Sequence, residues 1–536
     1  MSSKFYTSVV SGQQATPQSQ PIPFRESEMV QNNAGGFGFA IDNWCYLDRF
    51  LILGSENNSY YASAQKLTAE AAKNVLSLIK IDPVRVVNRI VEISDAGRAP
   101  KNDSAIFALA LTAVYANDEG KAVAFTALSK VCRTGTHLFQ FVETINTIGK
   151  WNAQTKRGIA NWYLKKPIDR MTYQMVKYQQ RNGWSHRDVL RLAHVKPDSD
   201  ERSAVFAWAS DAKSLSEKQK HLPNIIHAYK ELMSNPTLKN AIDCIDNHDM
   251  SWEMMPTSML KMPELWSALI PSMGFTALIR NLGRMGSIDV LKSLSHDANT
   301  VAERLVDADV IARSRVHPIT VLSALKTYSQ GRGDKGSLQW SVNKRIVEAL
   351  NEAFYLAFKN VEPTGKNFLI GVDCSSSMFG ATVCGLNNLT AAEAAAVMAM
   401  AIVKTEKNYW IGGFNTRMGE LDINPSMSLD QVMNKIRRFS WGGTDCALPM
   451  LHAIQHKMDV DCFVTITDNE TWAGKIHPTQ ALSSYRKEMN KPNAKNIVCG
   501  TSTTRFSVAD PKDPRQMDIV GFDSAVPQII SNFVRD

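Results

Sequence analysis

Residues 368–377 read FLIGVDCSSS, and this stretch decides how the C-terminal part of the chain folds. The apolar run FLIGV is typical of a buried strand, and Asp373 comes where that strand ends. Ser375 and Ser377 follow two and four positions later, so hard oxygen donors gather at one strand end. Mg²⁺ and Mn²⁺ prefer such ligands. The stretch therefore predicts a divalent-cation site at the carboxyl end of a strand.

Two later segments strengthen this interpretation. Residues 440–445, SWGGTD, form a glycine-rich loop that places Thr444 ahead of a helical pattern. Residues 463–468, FVTITD, are another apolar strand that ends in Asp468. Ligands of parallel sheets bind at the carboxyl ends of the strands. Thr444 and Asp468 are therefore expected to lie beside Asp373.

After residue 365 apolar strands alternate with helices. Strands are predicted at 367–372, 408–414, 461–467, 495–500 and 518–522. Helices are predicted at 389–404, 428–439, 446–457, 477–490 and 526–534. This alternation predicts a doubly wound α/β domain with a parallel sheet.

From about residue 40 to 360 apolar residues recur at helical spacing. Helices are predicted at 67–81, 83–93, 105–116, 122–131, 138–148, 273–285, 318–329 and 341–359. Their length and short connectors predict stacked antiparallel pairs, as in α-solenoids. The first 35 residues are rich in Ser, Gln, Pro and Asn, which predicts a mobile tail. We therefore divide the chain into a tail at 1–35, a helical-repeat module at 36–362 and an α/β domain at 363–536.

Composition limits the class of protein. The 536 residues carry a formal net charge of +8, with apolar and charged fractions that are ordinary for a globular protein. The sequence has no run of 18 apolar residues and no signal-peptide core, so we expect neither a membrane span nor a membrane partner. The eight cysteines form no C-x-x-C pair, which argues against zinc knuckles and disulfide frameworks. A reducing cytoplasm is the expected compartment.

Positive charge is concentrated in residues 150–196, which hold eleven Lys or Arg against two Asp or Glu. A helix over 170–181 places Arg170, Lys177 and Arg181 on one face. Ser185, with Asp188 three residues later, predicts the capped start of the next helix. Such a field attracts phosphate backbones. The candidate nucleic-acid contacts are Arg170, Lys177, Arg181, His186, Arg187 and Arg191.

Interpretations of this segment that involve no nucleic acid stay open. The charged faces can simply be solvated, although few acidic residues are near enough to pair with them. Trp151, Trp162, Tyr163 and Trp184 would stack on bases or, more ordinarily, pack in the core. Charge alone does not distinguish RNA from DNA.

Asp373, Ser375, Ser377, Thr444 and Asp468, in this order, resemble the metal-ion-dependent adhesion site of von Willebrand factor A domains. The resemblance implies that these five residues bind Mg²⁺ or Mn²⁺. It also implies an open coordination position, which a protein partner's carboxylate or another anion fills. The chain departs from the pattern after Asp468, because Asn469 stands where Gly is common.

This site, together with residues 182–191 (NGWSHRDVLR) and the helical module, resembles the 60 kDa SS-A/Ro ribonucleoproteins. Their helical part is called the TROVE module. The resemblance implies a ring-like α-solenoid of HEAT-like repeats closed by the A domain. It implies binding of Y RNAs on the outer basic surface. It also implies that misfolded noncoding RNAs, such as defective 5S rRNA precursors, insert their single-stranded 3′ ends into a central hole. A monomeric, non-enzymatic protein of the cytoplasm, and also of the nucleus, is expected.

Other functions remain alternatives. The helical part could serve only as a scaffold for a metal-dependent protein-adhesion module. Asp373 could instead cap a helix. A Mg²⁺-dependent hydrolase or nuclease is disfavoured because a phosphoryl-transfer site needs a second carboxylate two residues after Asp373, where Ser375 stands. No G-x-S-x-G elbow surrounds the serines.

Overall fold

The structure is a computed structural model of the full chain. It describes residues 18–54, 64–149, 151–181, 183–333, 336–358, 362–381, 383, 389–439, 442–521 and 526–535. Asn182, Ser440 and Trp441, which belong to the sequence motifs, lie outside the described residues. No helix in the described part of the chain is long and apolar enough to cross a membrane.

Helices α1 to α19 form the helical module. In chain order they span Asn43–Leu53, Ala64–Ile81, Pro83–Ala96, Asp103–Tyr115, Asp118–Val131, Gly135–Ile148, Ala153–Leu164, Ile168–Lys177, His186–Ala193, Asp200–Ala209, Leu215–Lys218, Asn224–Ser234, Leu238–His248, Pro263–Leu269, Phe275–Ser287, His296–Leu305, Ala308–Ser314, Pro318–Ser329 and Lys344–Leu356. Short 3-10 helices occupy Gln219–His221, Trp252–Met254 and Met259–Lys261.

Local sequence explains where these helices begin. Asp82 caps α3, with its side chain accepting from the N–H of Arg85, and Pro83 occupies the first turn. Successive helices pack against one another, as α3 does on α4 and α5, and α4 does on α6. Pro318 begins α18 at the predicted residue. Asn117 caps α5, with its side chain accepting from the N–H of Gly120, and the first turn of α5 follows at once.

Strands β1 to β11 span Met29–Gln31, Phe37–Ala40, Gln180–Arg181, Trp184–Ser185, Phe368–Asp373, Tyr409–Phe414, Met418–Glu420, Cys462–Thr467, Lys495–Gly500, Phe506–Ser507 and Gln516–Val520. Helices α20 to α25 span Ser376–Gly380, Ala391–Thr405, Leu429–Phe439, Leu448–Gln455, Pro478–Glu488 and Val526–Arg535. The main sheet has the order β11-β9-β8-β5-β6-β7 and is parallel except for β7. β5, in its middle, is buried along its whole length. The predicted doubly wound domain is confirmed.

The prediction of a mobile tail over residues 1–35 is corrected from residue 18 onward. Residues 18–40, here called the N-terminal strap, lie on the α/β domain and contain β1 and β2. β2 pairs with β1 and with β10, so the strap completes a three-stranded sheet with the C-terminal domain. A Cβ on Gly36 would stand 1.9 Å from the carbonyl oxygen of Thr471, so only glycine permits this close approach.

The helical module contacts the α/β domain at both of its ends. In α1, the fully buried Arg49 donates to the carbonyls of Thr504 and Phe506, at 3.0 and 2.8 Å, and pairs with Asp518. At the other end, Lys326 of α18 pairs with Glu393 of α21 at 2.6 Å. A solenoid held at both ends by one domain is a closed arrangement, as the predicted ring-like fold requires.

One predicted helix is shorter than expected. α8 ends at Lys177, and Arg181 lies in β3, which pairs with β4 in a tight hairpin. Arg181 therefore does not share a helical face with Arg170, as the helical spacing predicted. Gly183, with φ of 80°, makes the turn between the two strands.

Candidate functional site

The cation-site cluster lies where β5 and β8 end side by side. Asp373 is the last residue of β5, and Asp468 follows directly after β8. These strands are parallel neighbours, so their carboxyl ends reach the same edge of the sheet. The five predicted ligands are all buried, with none more than 4% exposed: Asp373, Ser375, Ser377, Thr444 and Asp468.

Hydrogen bonds hold the Asp373 carboxylate in place. Its Oδ1 accepts from the N–H of Ser375 at 2.9 Å, and its Oδ2 accepts from the hydroxyl of Thr467 at 2.6 Å. The hydroxyls of Ser375 and Ser377 are hydrogen-bonded to each other at 3.0 Å. Ser375 stands just before α20 and makes no side-chain cap there. In the loop after β5, the side chains of Ser375 and Ser377 therefore hydrogen-bond to each other, and the Ser375 side chain does not cap α20.

The electrostatics of the cluster favour a cation. Burial, and after it the charge of Asp468, raises the pKa of Asp373, and burial also raises the pKa of Asp468. The buried hydroxyl of Thr444 makes no hydrogen bond to any described residue. A cation would neutralise the two carboxylates and take a lone pair from this hydroxyl. The donor set therefore fits a hard divalent ion.

The cluster is poor in carboxylates compared with most metal sites. Within the described ranges, no group of three or more His, Cys, Asp or Glu side chains is arranged to hold a metal ion. An ion in this cluster would rely on two carboxylates, hydroxyl oxygens and water. Mg²⁺ usually keeps several of its waters, so it suits such a site.

The departure from the family pattern after Asp468 is accommodated by the backbone. Asn469 adopts the left-handed region with φ of 67°, which Asn tolerates better than most residues other than Gly. Its Oδ1 accepts from the N–H of Val508 at 3.2 Å. The loop thus keeps a conformation that Gly would favour without requiring Gly.

The N-terminal strap braces the two loops that carry Thr444 and Asp468. Gln20 donates through Nε2 to Asp445 at 2.8 Å. The N–H and Nδ2 of Asn33 donate to Glu470 at 2.9 and 2.7 Å. Sequence reasoning missed these residues, because a Gln- and Asn-rich N-terminus is typical of a tail. Only the position of the polar side chains in the fold reveals their role.

The basic surface, defined by Arg170, Arg181, Arg187 and Arg191, lies on the segment from α8 to α9. All four side chains are exposed. None of them pairs with a carboxylate in the part of the chain that the structure describes. Arg187 and Arg191 are four residues apart in α9 and so share one face. Lys177 differs, because it is half-buried and lies 3.5 Å from Glu253.

The structure contradicts the prediction that His186 contacts nucleic acid. His186 is 2% exposed and packs against Phe139 and Trp162. Its Nδ1 and the hydroxyl of Tyr163 form a hydrogen bond of 2.8 Å. Burial lowers the pKa of His186 to about 3, so the ring is neutral at physiological pH. His186 anchors α9 from below, and its neighbour Arg187 reaches solvent.

The candidate stacking residues divide by burial. Trp162 and Tyr163 are fully buried core residues of α7. Trp151 and Trp184 are half-buried, and their indole N–H groups donate to Asn146 and Glu143. Base stacking on Trp162 or Tyr163 is therefore ruled out in this conformation.

These features define a class of protein: an array of paired helices, with an exposed basic surface, joined at both ends to a von Willebrand factor A-type α/β domain. The TROVE domain model matches residues 30–249 and 245–327, and the Ro60 vWA domain model matches residues 367–534. The chain belongs to the Ro60 family.

Individual relatives support the same family assignment. The RNA-binding protein RO60 of Deinococcus radiodurans is 38% identical over 521 residues, covering 97% of each chain. The protein of the same name from Caenorhabditis elegans is 33% identical over 581 residues, covering 94% of this chain and 90% of the relative. The crystal structure of the D. radiodurans RO (RSR) protein superposes with a TM-score of 0.68 at 37% identity, over 92% of this chain and 99% of that one. The D. radiodurans and C. elegans relatives matched by sequence are named RNA-binding proteins and not enzymes.

Proposed function

We propose that this protein binds RNA through the basic surface and has no catalytic activity of its own. The observation that carries the proposal is a set of four exposed arginines without carboxylate partners among the described residues. Such side chains are available to phosphate groups. Relatives that cover nearly the whole chain are named RNA-binding proteins.

The finer parts of the proposal follow the family resemblance. The basic surface would bind Y RNAs. Single-stranded 3′ ends of misfolded noncoding RNAs, such as defective 5S rRNA precursors, would enter the ring. Contacts to the backbone carry little sequence information, so selection would rest on an accessible single-stranded end. The protein would act in RNA quality control as a monomer, in the cytoplasm and the nucleus.

A gel-shift titration tests this proposal. The probe is a structured RNA with a single-stranded 3′ tail, at two salt concentrations and with or without EDTA. We expect binding that weakens with salt, is insensitive to EDTA and leaves the RNA intact. Metal-dependent cleavage would instead indicate a nuclease, and absence of binding would favour the adhesion-module alternative.

A charge-matched pair of variants locates the RNA surface. Arg187→Ala with Arg191→Ala removes two exposed arginines of α9. Lys230→Ala with Lys239→Ala removes two exposed cations from α12 and α13 as a control. We expect the first pair to weaken binding and flatten its salt dependence more than the second. Equal effects would contradict the assignment of the basic surface.

We also propose that the cation-site cluster binds Mg²⁺ or Mn²⁺. The buried hydroxyl of Thr444, which has no hydrogen-bond partner among the described residues, and the two buried carboxylates of the cluster support this function. A carboxylate from a protein partner, or another anion, would complete the coordination. Electron paramagnetic resonance with Mn²⁺ tests it: the wild type should bind one equivalent tightly, and Asp373→Asn should not.

A further inference from the structure

A cavity of about 660 Å³ lies between α5, α7 and α8, and its lining is positively charged. Among the residues that the structure describes, Arg133, Lys165, Lys166 and Arg170 line it, and no Asp or Glu does. Its remaining polar groups are neutral donors and acceptors such as Ser129, Asn161 and Gln174. The sequence predicts Arg170 on a basic helical face and does not reveal this cavity.

Lys166 is the least ordinary of these cations, because it is half-buried without a carboxylate partner in the described residues. Its Nζ lies 3.8 Å from the centre of the Trp162 ring and 3.4 Å from the hydroxyl of Ser129. Burial lowers the pKa of Lys166 to about 8. A buried ammonium group usually has a charged partner. An anion in the cavity would supply one.

The surrounding structure holds the cavity open and keeps it basic. Arg202, itself 8% exposed, donates to the carbonyls of Leu164 and Lys166 at 2.9 and 2.6 Å, which fixes the loop between α7 and α8. Arg133 donates to the carbonyl of Lys130 at 3.0 Å. Arg133 also donates to the hydroxyl of Ser94 at 3.1 Å, and Arg202 pairs with Asp198 at 3.1 Å. Neither Ser94 nor Asp198 belongs to the lining, so among the described residues the lining contains cations and no carboxylate.

One carboxylate near the cavity is already paired. Asp95 is close enough to act on the charge of Arg133, and it forms an ion pair with Arg315 at 2.8 Å. It is not part of the cavity lining. The net charge that faces the cavity is therefore strongly positive.

The size of the cavity indicates more than a bare ion. Sites for small molecules usually measure about 300–1,000 Å³. A phosphate group fills a small part of that space, and the rest would admit the attached nucleoside against Tyr173. Phosphate matches the donors better than carboxylate does, because it presents oxygens in several directions to several cations.

We propose that this cavity is a phosphate-binding site, and that it receives a nucleotide phosphate of the bound RNA. That the phosphate comes from bound RNA rests on the proposed RNA-binding function, whereas phosphate binding by the cavity does not. The site differs from the basic surface in being a concave pocket, with Arg170 at the junction of the two.

The test uses two cavity variants and a matched control in the full-length protein. Lys166→Gln and Lys165→Gln each remove one cation from the lining. Lys239→Gln removes an exposed cation from α13, outside the lining. Lys165 is exposed, so its variant is expected to fold normally even if the Lys166 variant does not. Thermal unfolding confirms the folded state of each.

Two probes separate the sources of phosphate. Inorganic phosphate is titrated by calorimetry at constant ionic strength. A labelled oligoadenylate is titrated by fluorescence anisotropy at several salt concentrations. We expect each cavity variant to bind phosphate about tenfold more weakly than the wild type, the cost of one charged hydrogen bond. For the oligonucleotide, the slope of log affinity against log salt should fall by about 0.7 relative to Lys239→Gln.

Each outcome is decisive. No phosphate binding by the wild type, or equal binding by cavity and control variants, overturns the site. Weaker phosphate binding with unchanged oligoadenylate binding keeps a site for free phosphate and overturns the RNA half. If the wild type binds no RNA at all, the proposed function fails while the phosphate titration still decides the cavity.

Discussion

His186 and Arg187 are neighbours in the chain but have opposite environments, because successive residues of a helix point about 100° apart. His186 faces Tyr163 and Phe139 below α9, whereas Arg187 faces solvent. Charge alone shows two basic side chains side by side and does not show which one faces the core. The hydrophobic pattern of α9 would have helped, since His186 precedes the buried Val189 by three positions.

The buried His186 should make the protein sensitive to acid. Its pKa is about 3 when folded and about 6.5 when unfolded, so below pH 6.5 the unfolded chain binds a proton that the folded chain does not. Stability should therefore fall as pH drops from 6.5 towards 3. At pH 5 the loss is about 2 kcal/mol from this residue.

Urea unfolding at pH 7 and pH 5 measures this loss. His186→Asn keeps a polar group near Nδ1 but cannot be protonated. Between pH 7 and pH 5, the free energy of unfolding of this variant should therefore fall by about 2 kcal/mol less than that of the wild type. His137, whose pKa burial lowers to about 4, stays in both proteins and does not affect the difference. Identical pH dependence in the two proteins would show that His186 is not buried and neutral.

Elements with a clear local sequence pattern, such as an apolar run or a capping box, were well predicted. Strands that form only by pairing with a distant part of the chain were not. The capping box of Ser185 and Asp188 is confirmed, and four of the predicted core strands match β5, β6, β8 and β9 within a residue or two. The last strand, predicted at 518–522, lies at Gln516–Val520. β2 and β10 were missed because each is short, and their pairing joins residues far apart in the chain. In the site, the positions of the buried ligands follow from strand ends, whereas the strap contacts depend on the tertiary fold.

The capping box of α9 should matter for RNA binding as well as for stability. Ser185 accepts from the N–H of Asp188 at 3.3 Å, and Asp188 accepts from the N–H of Ser185 at 3.0 Å. Ser185→Ala should cost about 1 kcal/mol. Because this short helix carries Arg187 and Arg191, RNA affinity should fall by up to about fivefold.

Thr237→Ala is the control for that cap. Thr237 caps α13, accepting from the N–H of Asn240 at 3.2 Å, and α13 carries no residue of the basic surface. It should cost a similar amount of stability in thermal unfolding and leave RNA binding unchanged in gel shifts. An equal loss of RNA affinity in both variants would indicate general destabilisation rather than a role of α9.

The strap should influence cation binding at the cluster. Asn33→Ala removes the side-chain amide that donates to Glu470 at 2.7 Å and leaves only backbone donors to this carboxylate, which weakens the support of the loop after Asp468. Loss of such an outer contact typically weakens metal affinity by about tenfold. Gln31→Ala, at an exposed position of β1, is the control from the same strap. Mn²⁺ titrations followed by electron paramagnetic resonance would refute the role of the strap if both variants bind equally well.

At the scale of the whole molecule, the contacts that close the arrangement differ in kind. The junction at Arg49 is buried and hydrogen-bonded, and the strap adds a sheet across it. The contact between Arg315, at the end of α17, and Asp95, in α3, joins distant parts of the helical module and is an exposed ion pair, with side chains 52% and 62% exposed. Exposed pairs contribute little. Closure of the ring should therefore depend on the Arg49 junction much more than on surface charge.

Arg49→Met tests this argument. It leaves Asp518, which is 19% exposed, without its partner and removes the donors to the chain around β10. Breaking a buried pair on one side costs about 3 kcal/mol or more. Amide exchange in β10 and β11 should accelerate by up to about a hundredfold, while β5 and β8 in the centre of the sheet stay protected.

Two further variants make the result specific to the junction. Arg315→Met should change exchange in β10 and β11 little, because its ion pair is exposed. Adding Asp518→Asn to Arg49→Met should restore part of the protection, because it removes the unpaired carboxylate. If β10 and β11 exchange at the wild-type rate in Arg49→Met, the junction does not hold the helical module to the α/β domain. The strap and the Lys326–Glu393 contact would then have to provide closure instead.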